Sequence, residues 1–255
     1  MLAGHGGWVA PTRLVAHCLL IEEGSELVLV DTGFGIQDVA NPKRLGQPFR
    51  ALVQPRCQIG ETAIRQIEAL GLSPADVRHV LVTHLDADHA GGLGDFPDAD
   101  VHLFAPELAT AQEPPLRERR RYVSAQWSHG PKWVRHEVGG DRWFGFESVQ
   151  LLPHLDAEIA LVPLVGHSTG HAGVAVRTGD GWLLHCGDAY FHRGVVDTPP
   201  TCPWGLRVFE GITGHDAKAR HHNQERLREL AREHGSEVRL ICSHDPELFD
   251  RAERP

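Results

Sequence analysis

Four residues able to bind a metal ion stand within six positions of one another: His84, Asp86, Asp88 and His89, in the run Thr83-His84-Leu85-Asp86-Ala87-Asp88-His89-Ala90-Gly91-Gly92. A strand's period of two or a helix's period of 3.6 would turn only some of them to one side, so the run is expected to be a loop. Imidazole nitrogen and carboxylate oxygen together suit zinc, iron or manganese. No thiolate is present, which argues against a closed structural zinc finger. An EF-hand would need a third spaced oxygen ligand, a central Gly and a terminal Glu that the run lacks. A polar turn with hydrogen-bonded histidines is the competing reading. Gly91 and Gly92 let the backbone pass close to whatever the loop binds.

The same kind of residue ends four other apolar runs: Leu27–Asp31, Leu161–His167, Leu183–Asp188 and Leu240–His244, to which Val80–His84 adds the loop itself. Strands that run in parallel bring their carboxyl ends to one rim, where sites form in open α/β sheets. One Asp or His at a strand end is an ordinary turn residue; five together point to a shared site. Histidine is the compositional anomaly, with 18 in a chain that has two Tyr and one Met. The five cysteines, Cys18, Cys57, Cys186, Cys202 and Cys242, are odd in number, widely spaced and without a C-x-x-C pair, and read as reduced thiols. Cys186 lies in an apolar run and is expected to be buried and inert.

Strands are expected at Leu14–Glu22, Glu26–Val30, Val77–Val82, Val101–Phe104, Val149–Leu152, Ile159–Leu164, Val174–Arg177, Trp182–His185 and Val238–Ile241. Glu61–Leu70 carries a helical stripe that stops at Gly71, Ser73-Pro74 looks like a cap, and Asp216–Glu233 reads as an amphipathic helix closing at Gly235. Strands mixed with helices indicate an α/β or α+β sheet architecture with helices packed outside. At 255 residues, with no repeat or linker, the chain is expected to form a single domain over 1–255.

Two polar stretches, 34–59 and 113–143, are expected to be excursions flanking the site. Arg117, Arg119, Arg120 and Arg121 read as a solvated helix face in preference to an anion clamp. Trp127, Trp133, Trp143, Phe144 and Phe146 could wall an apolar pocket or anchor the second excursion to the core.

Composition narrows the partners. The chain is 41% hydrophobic and 23% charged, as in ordinary globular proteins. Its apolar runs Leu14–Ile21 and Ile159–Val165 fall far short of the roughly 18–20 residues of a membrane span, and the amino terminus lacks signal-peptide order. A cytoplasmic location with no membrane partner follows as the expectation. Lys and Arg total 25 against 34 acidic residues, a net charge of −9 that disfavours nucleic acid and leaves a small-molecule substrate.

His84-Leu85-Asp86-Ala87-Asp88-His89 resembles the H-x-H-x-D-H signature of the metallo-β-lactamase superfamily, with Asp86 standing where the second His is usual. The resemblance spans nearly the whole chain in the family's order: Asp31 in Val-Asp-Thr-Gly, the loop itself, His167 in Gly-His-Ser-Thr-Gly-His, Asp188 in Cys-Gly-Asp-Ala, and His244 near the carboxyl end. It implies the α+β metallo-β-lactamase fold, a four-layer αββα sandwich with a two-metal site along one edge. By position it puts His84, Asp86 and His167 on the first metal and Asp88, His89 and His244 on the second, with Asp188 bridging. Asp31 would support the ligand loops, and Gly170 and His171 would shape a loop. The implied cofactors are two divalent metal ions, zinc foremost. Asp86 adds an anionic oxygen that lowers the charge of the centre and turns it toward manganese or iron.

The activity the resemblance implies is that of a metallohydrolase cleaving an ester, lactone or thioester. Metal binding brings the pKa of water down to about 7, which makes a hydroxide available at neutral pH. Asp88 would orient the proton of that nucleophile. Tyr190 and His192 follow Asp188 closely; Tyr190 is the first choice as donor to the oxyanion or leaving group, with packing under the substrate loop as its alternative. Two other functions remain in view: a diiron oxidoreductase, since such members also carry a carboxylate at the Asp86 position, and a metal-binding regulator without turnover.

Overall fold

The computed structural model describes residues 13–151 and 157–252. The chain divides into two compact units, Cys18–His136 and Met1–His17 with Glu137–Pro255. Among the described residues no helix is long and apolar enough to cross a membrane.

In the first unit β1 (Leu19–Glu23) and β2 (Glu26–Val30) form an antiparallel hairpin. The apolar run before β2 was expected to pair from Leu14, but residues 13–18 lie outside any strand. β3 (Val77–Leu81), β4 (Asp100–Phe104) and β5 (Lys132–His136) add in parallel, giving the order β1-β2-β3-β4-β5. The polar stretch 34–59 is partly ordered into α1 (Ile36–Ala40) and α2 (Gln47–Val53). α3 (Ala63–Ala69) buries Ile67 with Ala63 and Ile64 packed beside it, and the chain leaves it through Gly71 at φ 78°. Ser73 Oγ accepts from Ala75 N at 3.3 Å, capping a single 3-10 turn. After β4 comes α4 (Ala105–Gln112), with Pro106 in its first turn.

β5 is not among the expected strands and carries no strand pattern in the sequence: it is an edge strand, with Lys132 and Arg135 exposed and only Trp133, Val134 and His136 half-buried. It also explains some of the histidine excess. His79 on β3, His102 on β4 and His136 on β5 form a ladder, with His79 Nδ1 to His102 Nε2 and His102 Nδ1 to His136 Nε2 both 3.0 Å. Each imidazole satisfies the next, so buried polar rings are accommodated inside a sheet.

In the second unit β6 (Asp141–Trp143), β7 (Phe146–Leu151), β8 (Ile159–Pro163), β9 (Ala172–Thr178), β10 (Gly181–His185) and β11 (Val238–Ile241) form a sheet in the order β11-β10-β9-β8-β7-β6. Neighbours are antiparallel except β10 and β11. α5 (Trp204–Thr213), α6 (Ala217–His234) and α7 (Pro246–Ala252) complete it. Asp216 caps α6 by accepting from Lys218 N at 2.8 Å and Ala219 N at 3.1 Å, while Leu227 and Leu230 bury its apolar stripe. α5 carries no one-sided stripe in the sequence, because apolar residues face both ways: Leu206 is buried, whereas Trp204, Val208 and Ile212 are exposed.

The aromatics of the second polar stretch are anchors. Trp127 and Trp133 pack on the core of the first unit, and Trp143, Phe144 and Phe146 belong to that of the second. Among the described residues all five cysteines are free thiols.

Strand direction does the positioning. β2 and β3 are parallel, so Asp31 and Thr83-His84 emerge at the same rim of their sheet. β8 and β10 are both antiparallel to β9, and β11 is parallel to β10; His167, Asp188 and His244 therefore follow strand ends on one rim of the other sheet.

The loop after β3 is stapled to the turn after β2. Thr32 Oγ1 donates to the His89 carbonyl at 2.7 Å and accepts from Gly92 N at 3.0 Å. A Cβ on Gly92 would stand 2.8 Å from the Thr32 carbonyl oxygen and 3.0 Å from Thr32 Cβ. Gly92→Ala is expected to cost about 1–3 kcal/mol, the usual range for overpacking, read as a lower urea midpoint.

Candidate functional site

In the first unit everything turns on Asp31, which is 1% exposed and sits at φ 55°, a left-handed conformation uncommon for a residue with a side chain. Its Oδ1 accepts from Thr83 N at 2.8 Å; its Oδ2 accepts from Thr83 Oγ1 and from His89 Nδ1, both at 2.8 Å. A carboxylate only accepts, so the Thr83 hydroxyl spends its proton on Asp31 and must accept from His84 Nδ1, 3.0 Å away. Both His84 and His89 are thereby fixed in the tautomer whose Nε2 carries the lone pair, the atom a metal takes.

The remaining donors of the loop are close at hand. His84 Nε2 lies 3.4 Å from Asp86 Oδ2, and the ligand atoms of Asp88 and His89 lie within 4.8 Å of one another, as do those of His84 and His89. His84 and His89 are buried, Asp86 and Asp88 half-buried. The Leu85 N–H donates to the buried Glu107 Oε1 at 3.0 Å, and Gln126 Nε2 donates to the Ala87 carbonyl at 2.9 Å, so the loop backbone is held from beneath.

One partner of this loop departs from the expectation of a solvated face. Arg117, Arg119 and Arg120 are exposed, as a solvated face requires, but Arg121 is 11% exposed and grips Asp86 with both arms. Its Nε donates to Oδ1 at 2.5 Å and its Nη2 to Oδ2 at 2.8 Å. Burial pulls the Arg121 pKa down and the Asp86 carboxylate more than offsets it, for a net rise. Beside it Tyr122 bridges to Asp86 through the backbone and lines, with Arg44, Pro48, Arg120 and Ser124, a cavity of about 610 Å³.

In the second unit Asp188 Oδ2 lies 3.0 Å from His244 Nε2 and 3.4 Å from His167 Nε2. His244 Nδ1 donates to the Val15 carbonyl at 2.6 Å, which leaves the lone pair on Nε2, facing a carboxylate. One oxygen turned to two imidazole nitrogens asks for a cation, either a proton on each ring or a metal. Two ligand atoms held about 2.0–2.2 Å from one ion in tetrahedral geometry lie about 3.3–3.6 Å apart, close to the separations found in both units. His, Asp and their spacing thus fit a divalent ion.

His171 plays the other part. Its Nδ1 donates to the Leu164 carbonyl and its Nε2 accepts the Asp188 N–H, both at 2.9 Å, so both its nitrogens are spent on backbone, one of them on that of Asp188. Glu210 on α5 accepts the Phe191 N–H at 3.0 Å and Gln224 on α6 donates to the Ala189 carbonyl at 2.9 Å, fixing the segment just after Asp188. Neither residue is legible as a site residue, since both sit in ordinary helical sequence.

Tyr190, expected to serve chemistry, is fully buried in the core of the second unit with its hydroxyl against Cys186 and Cys242. Burial, with the two thiols beside it, drives its pKa well above the usual phenol value. The ring beside the two histidines of this cluster is that of Phe191, 5.7 Å from His167 and 5.0 Å from His244 between centroids. His192 Nδ1 accepts the Gly194 N–H at 3.1 Å and caps a 3-10 turn. Cys186 is buried and its thiol is pushed up to about 12 by burial, as an inert thiol should be.

Comparison with known proteins assigns the fold. The family model described as Metallo-beta-lactamase superfamily matches residues 11–234. The chain belongs to that superfamily. It is 46% identical over 240 residues to a probable metallo-hydrolase of Mycobacterium tuberculosis, covering 94% of this chain and 77% of that protein. It is 27% identical over 231 residues to the N-acyl homoserine lactonase AttM of Azorhizobium caulinodans, covering 87% and 78%. Among solved structures, a mutant of B. thuringiensis AiiA with N-decanoyl-L-homoserine bound has the same fold, with a TM-score of 0.68 at 20% identity over 97% of this chain and 88% of that one. The protein is accordingly a metallohydrolase with the α+β metallo-β-lactamase fold, bearing His and Asp groups able to hold divalent metal.

Two expectations follow from the geometry. Asp31→Asn keeps one acceptor where the three donors now use two oxygens. It should cost roughly 2–3 kcal/mol through the buried charge-assisted bonds and lower metal affinity about 10–100-fold, measured by chelator competition. His17 gives the second. Burial, and next the adjacent His185, pull its pKa from 6.5 to about 4. The unfolded chain binds this proton below about pH 6.5 and the folded chain does not until about 4, so the stability this group confers falls as pH falls through that window. The ceiling of the effect is about 3 kcal/mol. Urea midpoints measured from pH 7 to 4 should fall less steeply in His17→Gln.

Proposed function

We propose that the two clusters serve one dinuclear centre, with His84, Asp86 and His167 holding the first ion, Asp88, His89 and His244 the second, and Asp188 shared, and that the centre hydrolyses a carboxylic ester bond, a lactone foremost. The observation that carries this reading is the donor chemistry: histidines fixed in the tautomer that presents Nε2, and an Asp188 oxygen turned to two imidazoles. The lactone follows from the kinship with AttM, since the metallohydrolase class by itself leaves the bond open. A divalent pair, zinc for this ligand set, supplies water acidified to a pKa of about 7 and a Lewis acid for the carbonyl.

The chain's own residues do the rest. Asp88 accepts the proton of the attacking water on its carboxylate and returns it to the alkoxide released when the ring opens. That assignment relieves Tyr190, whose hydroxyl is buried in the core of the second unit. Phe191 places an apolar ring against His167 and His244 and limits water there. Asp31, Thr83 and His171 keep ligands and ligand-bearing backbone in place before substrate arrives.

The test is a panel of N-acyl lactones, thioesters and aryl esters assayed with the metal-loaded protein, its metal content counted by mass spectrometry. Lactone turnover should disappear on chelation and return with zinc. Asp88→Ala should lower kcat by about 10²–10⁴, the usual worth of a positioned acid-base group. Full activity in Asp88→Ala would remove the proposed base, and thioester turnover without lactone turnover would move the substrate class.

A further inference from the structure

Asp86 is the one departure from the family's ligand signature, an anion where an imidazole is usual, and it is also the loop donor gripped by a largely covered guanidinium. Those two facts belong together. The same Asp86 Oδ2 that takes Arg121 Nη2 at 2.8 Å lies 3.4 Å from His84 Nε2, so the Arg121 grip sets which way that oxygen points. A carboxylate oxygen has two lone pairs, enough for one arm of Arg121 and one ion. The pair is also held in register from the backbone, through the bridge between Asp86 and Tyr122. The charged groups around Arg121 include Asp86 from the loop and Glu107 from α4, and Glu107 accepts the Leu85 N–H.

Resting on the dinuclear reading above, we propose that Arg121 is the positioning residue that allows Asp86 to replace an imidazole as a metal ligand. Its planar fork fixes the carboxylate rotamer, and its charge cancels the one that Asp86 adds, so that Asp86 with Arg121 presents one oxygen donor at no net charge, as a neutral His would present one nitrogen. A solvated-face arginine would have no such geometry; Lys could supply the charge but not the two parallel bonds.

The experiment compares the wild type with R121Q, R121K, D86H and D86H/R121Q, each loaded with zinc and titrated against a chromophoric chelator, with melting curves of the metal-free proteins and the visible spectra of the cobalt forms alongside. In R121Q one of the two metal affinities should fall about 10–100-fold while the other holds, the range typical when a ligand loses its supporting hydrogen bonds. R121K should fall between R121Q and wild type. D86H/R121Q should recover most of the loss, because an imidazole needs neither the fork nor the counter-charge. Wild-type or tighter binding at both sites in R121Q overturns the proposal, as does a double variant no better than R121Q. Should R121Q not fold, R121K and D86H/R121Q decide between the same outcomes. A wild-type protein that takes up no metal overturns the dinuclear reading as well, whereas two tightly held ions in both wild type and R121Q overturn this inference alone.

Discussion

The buried carboxylate of Asp31 is the constraint on which the first cluster depends. Three donors converge on its two oxygens, from the Thr83 backbone, the Thr83 hydroxyl and His89 Nδ1. A charge buried this far is tolerated only when it is well hydrogen-bonded, and here its bonds do a second task, fixing the proton positions on two histidines. The cost of the left-handed backbone at Asp31, of order 1–3 kcal/mol, is borne because it lets a residue at the end of β2 reach across to the loop after the neighbouring parallel strand. Remove the carboxylate and the tautomers of His84 and His89 are no longer determined.

The second cluster reaches the same result with neutral partners. The Val15 carbonyl takes the Nδ1 proton of His244, and the uncharged His171 takes the N–H of Asp188. Residues 13–18, which fail to extend the first strand, are what make this possible: His17 N donates to the Ser243 carbonyl at 2.9 Å and the His17 carbonyl accepts from His185 Nε2 at 2.9 Å, so the segment is committed to the loop after β11. An apolar run that reads as strand is thus drawn off by a site that needs its carbonyls.

This division explains what the sequence could disclose. The candidate residues at strand ends were legible because an apolar run followed at once by His or Asp marks both the strand and its rim, and β2, β3, β10 and β11 lie within a residue of the expected spans. Contacts between residues far apart in the chain were not legible. Arg121 is 35 positions from Asp86 and sits among arginines that are exposed, with nothing in its neighbours to separate it from them. Tyr190 and Phe191 differ by one position, and in an irregular segment no period says which ring turns to the ligands and which to the core.

Histidine count, the first signal of a metal site, proves a weak one by itself. His79, His102 and His136 satisfy one another across a sheet, and His171 spends both nitrogens on backbone. What separates a candidate ligand from a structural histidine is the partner of each nitrogen. His84, His89 and His244 give Nδ1 protons to oxygen, and for His84 and His244 the opposite nitrogen is turned to a carboxylate oxygen. A neutral imidazole facing a carboxylate lone pair to lone pair is repulsive unless a positive charge lies between them. The fold spends buried hydrogen bonds to hold that arrangement, and a positive charge between ring and carboxylate, a proton or a metal ion, relieves its repulsion.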